Sequence, residues 1–210
     1  MGDDTTKKER AEIKQLLLRY LPSRPLATDN FRDGLFPAAS KEQALSKKII
    51  QLNYNDTIMF LVIDIDHQGQ ELAWSDENVA EPTYVVRNPS TLHVHYVYRL
   101  STPVTVHGWS HGKSGQRIES NSKKWLAAIK RGYNRRLCAD QNYTGLTTRN
   151  PVHAAHELVS YSARTYTLAE LDHWLDPKGK AYCFSDSNGS EGRNSFIFHK
   201  VKQIVCKKCT

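Results

Sequence analysis

The sequence predicts an α+β domain, and three observations carry that expectation. Residues 58–66, Ile-Met-Phe-Leu-Val-Ile-Asp-Ile-Asp, are an apolar run of strand length. Residues 83–87 and 92–100 alternate in the manner of strands, and Asn88-Pro89-Ser90 joins them by a tight turn, so they read as an antiparallel hairpin. Segments of helical period lie before and after these strands. Helix, strand, hairpin and helix in that order argue for an α+β or mixed-sheet domain over a regular doubly wound one.

From the N-terminus, residues 7–21 carry Ile13, Leu16, Leu17, Tyr20 and Leu21 on one side of a helix. Pro22 stops it, having no N–H to give and clashing with the preceding turn. Residues 22–37, with Pro22, Pro25 and Pro37, read as irregular. Ser40-Lys41-Glu42-Gln43 has the form of a capping box and predicts a second helix burying Ala44, Ile49, Ile50 and Leu52. Asn53-Tyr54-Asn55-Asp56 is turn-like and leads into the strand ending at Asp66. A polar loop containing Trp74 precedes the hairpin.

Residues 122–137 place Trp125, Ile129, Tyr133 and Leu137 at four-residue steps. The other side of that helix bears Lys123, Lys124, Lys130, Arg131, Arg135 and Arg136. Residues 143–151 have room for one more short strand. Thr167-Leu168-Ala169-Glu170 is a second capping box, opening a short helix through Leu175. Residues 185–192 read as a polar linker, and residues 193–206 as an amphipathic helix.

Composition narrows the function only a little. The chain has 210 residues, enough for one large domain with a proper core. Its 29 Lys+Arg against 22 Asp+Glu give a formal charge of +7, a modest bias towards polyanionic partners. No apolar run spans a bilayer and the N-terminus is polar, so a cytoplasmic location is expected. Cys206-Lys207-Lys208-Cys209 is half of a zinc site at best, even with His199 nearby.

Three clusters could carry chemistry. Asp64 and Asp66, spaced i, i+2 at the end of a rigid strand, point the same way and repel unless a cation relieves them. Oxygen ligands suit hard ions such as Mg²⁺ or Mn²⁺, and two-metal phosphoryl-transfer sites use such pairs. His93 and His95 have the same spacing and share one strand face. Asp140, with the polar loop from Tyr143 to Asn150, could complete a metal site for nucleotide chemistry.

In this order the clusters resemble the ColE2-type plasmid replication initiator–primases, a branch of the archaeo-eukaryotic primase superfamily. The landmarks are Phe60-Leu61-Val62-Ile63-Asp64-Ile65-Asp66, then Val86-Arg87-Asn88-Pro89 leading to His93-Val94-His95. Arg131-Gly132 follows, then Arg136-Leu137-Cys138-Ala139-Asp140, then Tyr143-Thr144-Gly145-Leu146 running on to Asn150-Pro151 and His153. The chain departs from the family in carrying Arg149 where lysine is usual, and Ser90-Thr91-Leu92 where a glycine usually precedes the histidines.

The resemblance implies an RRM-like sheet unit combined with an α/β unit, and a short helical extension at the C-terminus. It implies a primase-type catalytic domain over residues 1–184, a linker at 185–192 and the start of a small helical domain at 193–210, in a fragment or a short relative. Asp64, Asp66 and Asp140 become ligands of two Mg²⁺ or Mn²⁺ ions. His95, with His93, Arg149 and Asn150, becomes the nucleotide contact; apart from the resemblance, the basic face of the helix at 122–137 offers Lys123, Lys130, Arg131 and Arg135 as a contact to DNA. The implied activity is nucleotidyl transfer that makes a short RNA primer on DNA from NTPs and releases pyrophosphate. Partners would be a plasmid or phage origin and nucleoside triphosphates, with room for a host DNA polymerase, and no membrane.

Two other readings compete. His93-Val94-His95 also has the form used by rolling-circle nickases, which need a nucleophilic tyrosine, and Tyr133 is available. A non-catalytic origin-DNA-binding module would use only the basic helix face. His153-Ala154-Ala155-His156-Glu157 matches neither order of the zinc hydrolase motif.

Overall fold

Ile13, Leu17 and Leu21 are fully buried at four-residue steps, and this stripe holds helix α1 (Gly2–Tyr20) onto the core. Each such burial contributes about 1.5–3 kcal/mol of transfer free energy. The computed structural model describes residues 2–106, 110–111, 117–118 and 121–175. Residues 1–176 form one compact unit. The expected linker, the helix at 193–206 and the cysteine pair at Cys206 and Cys209 lie outside the described residues.

Two sheets organise the unit. The smaller has the order β2-β1-β3-β9, antiparallel throughout. It is built from β1 (Leu26–Thr28), β2 (Phe36–Pro37), β3 (Ile49–Gln51) and β9 (Thr147–Arg149). Between β2 and β3 lies the short helix α2 (Lys41–Leu45), where the Ser40 hydroxyl accepts the Gln43 N–H as the expected cap. Residues 22–37 are therefore not wholly irregular. The predicted second helix also stops early: Ile49 and Ile50 lie in β3, where sheet pairing outweighs helix propensity.

The larger sheet is centred on β6 (Val94–Thr105). On one side β6 pairs antiparallel with β4 (Thr57–Ile65). Its first half also pairs antiparallel with β5 (Tyr84–Arg87), completing the expected hairpin, and β10 (Glu157–Tyr161) joins β5 beyond it. Farther along, β11 (Thr165–Tyr166) pairs with β6 in parallel. Helix α3 (Ala73–Asp76) sits in the loop after β4, and β7 (Ser110–His111) pairs with β8 (Arg117–Ile118) in a separate ribbon.

Strand alternation gives this sheet two buried faces. Leu61, Ile63, Ile65, Val85, Tyr96 and Tyr98 face helix α4 (Asn121–Leu137), which buries Leu126, Ile129, Tyr133 and Leu137. Trp125, expected in this stripe, is instead 40 % exposed, and Leu126 takes its place. Phe60, Val62, Tyr84, Val86 and Val97 face the other way, onto α1 and the small sheet. Helix α5 (Leu168–His173) opens with the full capping box of Thr167 and Glu170 and packs on α4.

One contact ties α1 to a distant loop. The Arg10 guanidinium donates to the carbonyls of Val152, His153 and His156, the last at 2.7 Å. Among the described residues no helix is long and apolar enough to cross a membrane.

Candidate metal centre

Asp64 stands next to the end of β4, and Asp66 just past it. Both fall on the face that carries Phe60 and Val62, at the point where that face leaves the apolar cluster. The β4–β6 register sets Asp64 opposite His95 and Ile65 opposite Val94, so His93 follows beside Asp66. The same two-residue period that buries one set of side chains thus lines up two carboxylates against two imidazoles.

Asp140 arrives from the other side of the sheet. Helix α4 ends with Cys138 at φ +52°, in the left-handed region. Ala139 N–H bonds the Asn134 carbonyl at 2.9 Å and Cys138 N–H that of Arg135 at 3.4 Å, the paired bonds of a Schellman cap. The cap turns the chain around the edge of the sheet. There Asp140 N–H donates to the Asp64 carbonyl at 2.9 Å. The Asn134 amide donates to the Asp140 carbonyl at 3.0 Å, and Asn142 N–H donates to Asp140 Oδ1 at 2.8 Å.

One ligand atom from each of Asp64, Asp66 and Asp140 lies within 4.8 Å of the other two, and all three residues are half-buried. Among the described residues this is the one such group of three. Like charges at that separation repel by about 3 kcal/mol per pair at an effective dielectric near 20. An all-oxygen, all-anionic set fits a hard divalent cation and offers no soft ligand for zinc.

The surroundings of Asp64 already offset part of its charge. His95 Nε2 lies 2.9 Å from Asp64 Oδ1, and an Arg149 nitrogen lies 3.4 Å from the same oxygen. Burial raises the Asp64 pKa, but the His95 bond and the Arg149 charge outweigh it and hold the carboxyl below its usual value. Burial pushes the His95 pKa down, against the opposing pull of the Asp64 hydrogen bond. His93 Nδ1 lies 3.0 Å from Asp66 Oδ1.

The sites expected for nucleotide contact separate here. His95 has a side chain only 6 % exposed, and its second ring nitrogen is engaged by Thr148 Oγ1 at 2.6 Å. Asn150 is wholly buried: its amide donates to the carbonyls of Leu45 and Lys47, each at 2.8 Å, and its oxygen accepts Val152 N–H at 3.0 Å. That is the geometry of a brace, not of a ligand. Arg149 remains at the site beside Asp64. Leu92, where the family usually has glycine, sits at φ +60°.

The basic helix divides likewise. Arg131 and Arg135 are exposed on α4 and Lys123 is half-buried. Lys130 turns inward, donating to the Tyr143 carbonyl at 2.5 Å and lying 5.5 Å from the centre of that ring. Tyr143 in turn lies against His95, with ring centroids 5.4 Å apart, and its hydroxyl donates to the Thr147 carbonyl. Neither Thr148 nor Tyr143 stood out individually in the sequence; Thr148 lies one residue before Arg149 in β9, on the opposite strand face.

Two alternatives lose their geometry. Tyr133 is fully buried, donates its hydroxyl to the Leu171 carbonyl at 3.0 Å and stacks edge-on with Tyr98, so it cannot serve as a nickase nucleophile. Glu157 of the His153–Glu157 segment pairs with Arg87 at 2.6 Å, and the buried His156 bonds the Asn150 carbonyl.

A family model described as "Replicase family" matches residues 20–175. Among solved structures, the chain is similar to the AEP domain of the primase-polymerase (PrimPol) of cyanophage S-2L. The identity is 10 % and the TM-score 0.54, over 80 % of this chain and 97 % of that one. The likeness places the α+β architecture in that fold. No curated protein matches the chain.

Proposed function

The chain belongs to the Replicase family, and we propose that it is a replication primase, a nucleotidyltransferase that joins NTPs into a short RNA primer on a DNA template. The observation that carries this reading is the convergence of Asp64, Asp66 and Asp140 within 4.8 Å in a primase-polymerase fold. Those three carboxylates would hold two Mg²⁺ or Mn²⁺ ions. Bound there, the ions would supply Lewis-acid chemistry, favouring ionisation of the attacking hydroxyl and offsetting charge on the departing pyrophosphate.

The residues around the carboxylates do the rest. Arg149, a forked donor already beside Asp64, would take triphosphate oxygens. The backbone bond from Asp140 to Asp64 holds the third carboxylate in place before any substrate arrives. Arg131 and Arg135, exposed on α4, are the residues available to a template backbone.

The test is incubation with single- and double-stranded DNA, labelled NTPs or dNTPs and Mn²⁺. Wild type should yield dinucleotides and short products, and Asp64→Asn with Asp66→Asn should abolish them. No product on any template, with DNA binding unchanged in that double variant, would replace the primase reading with that of a DNA-binding module.

A further inference from the structure

We propose that the turn between β1 and β2 is a base-stacking platform for a single-stranded DNA template, with Phe31 and Phe36 as its two rings. The inference deepens the primase reading above and rests on it for the identity of the strand.

Phe31 is 60 % exposed and Phe36 62 %, so both rings forgo the transfer free energy that burial would give. The turn that carries them is nonetheless fixed. Asn30 Oδ1 accepts Arg32 N–H at 3.0 Å, Thr28 Oγ1 accepts Asn30 N–H at 3.2 Å, and Gly34 N–H donates to the Phe31 carbonyl at 3.1 Å. Gly34 sits at φ +91°, and a Cβ there would lie 3.2 Å from the Phe36 ring. That ring therefore rests against bare backbone and turns its remaining surface to solvent. A ring presented on a braced turn binds at little ordering cost.

The sheet register locates the turn relative to the metal centre. Phe36 pairs with Ala27, Ala27 with Ile50, and Ile50 with Thr148, the neighbour of Arg149. Because β1 and β9 run the same way, the turn after Thr28 emerges at the end of the small sheet where Arg149 meets Asp64. In the order β2-β1-β3-β9, interstrand steps of about 4.8 Å put β2 about 14 Å from β9. That is roughly four nucleotides at a rise of about 3.4 Å. A ring so distant serves the strand leading to the centre, not the reacting nucleotide.

Charge at this end of the sheet is mixed but leans positive. Arg32 and Lys48 are exposed, Asp29 is held by the Lys47 ammonium and the Lys48 N–H, and Asp33 opposes them. Cations for phosphates beside aromatic faces for bases are the means of single-strand recognition. Strand β2 is the sheet edge, yet it is two residues long and ends in Pro37, which blunts it against pairing with another chain.

The experiment measures binding of a fluorescently labelled oligothymidylate to the full-length protein by anisotropy, with EDTA present and no NTP. Phe31→Leu and Phe36→Leu keep an apolar side chain but lose the ring, and each should weaken binding about fivefold or more. Phe36→Trp should bind like wild type, with its added emission quenched by the oligonucleotide. In primer synthesis the leucine variants should raise the template KM and leave kcat near wild type. Wild-type affinity in both leucine variants would overturn the proposal. A wild-type dimer that these variants lose, with DNA affinity unchanged, would overturn it too and give the rings to a second copy of the chain. If the rings bind the oligonucleotide but wild type makes no primer, the platform stands and the primase reading falls. A wild type that binds no single strand overturns the platform whatever else it does.

Discussion

Replacing Asn150 by alanine should cost stability before it costs chemistry. The side chain satisfies the Leu45 and Lys47 carbonyls and the Val152 N–H, at 2.8, 2.8 and 3.0 Å, in a place with no solvent access. Truncation strands three backbone groups at about 1–3 kcal/mol each, less what an entering water recovers, so a loss of about 3–5 kcal/mol is expected. That is a large share of the roughly 5–15 kcal/mol that holds a typical domain together. Asn150→Asp keeps the acceptor for Val152 but turns a carboxylate towards two carbonyl oxygens, and should be at least as damaging. Urea unfolding followed by circular dichroism measures both. A loss below about 1 kcal/mol, together with weakened NTP binding, would refute the bracing role and return Asn150 to the nucleotide.

The remaining expectations are simpler. Burial, with Arg149 and His153 nearby, lowers the His156 pKa to about 4 against the Asn150 carbonyl bond that raises it; the unfolded value is about 6.5. Stability from this residue is therefore complete above pH 6.5 and lost as pH falls towards 4, by up to about 3 kcal/mol. His156→Gln should flatten that part of the urea midpoint–pH profile, and parallel profiles would contradict the assignment. Ala163 is exposed at φ +56°, so Ala163→Gly should raise stability by about 0.5–1 kcal/mol in the same assay, and a loss would show the strain to be absent. Tyr133→Phe should cost about 1 kcal/mol for the bond to Leu171 yet leave primer synthesis intact, whereas loss of a covalent DNA adduct would revive the nickase.

Much of the site was legible because two-residue alternation is strict. An apolar strand ending Asp-Ile-Asp and a partner carrying His-Val-His leave few arrangements once they pair. What alternation does not report is the partner of each polar group. Nothing local distinguishes an asparagine that meets phosphate from Asn150, whose partners lie in the α2 segment. The small sheet was missed for another reason: β1, β3 and β9 are three residues each, too short for a period to show. On α4, adjacent Trp125 and Leu126 fit the same stripe nearly equally, and packing chose the smaller.

The grip of Arg10 on the loop after Arg149 separates ancestry from folding. The stretch recognisable by descent begins at residue 20, yet α1 lies before it and supplies both Arg10 and the buried Ile13 and Leu17. A gene trimmed to the inherited segment would open a hole above Phe60 and Val62 and release the turn that follows β9. Residues outside the matched stretch thus help to hold the turn that follows Arg149.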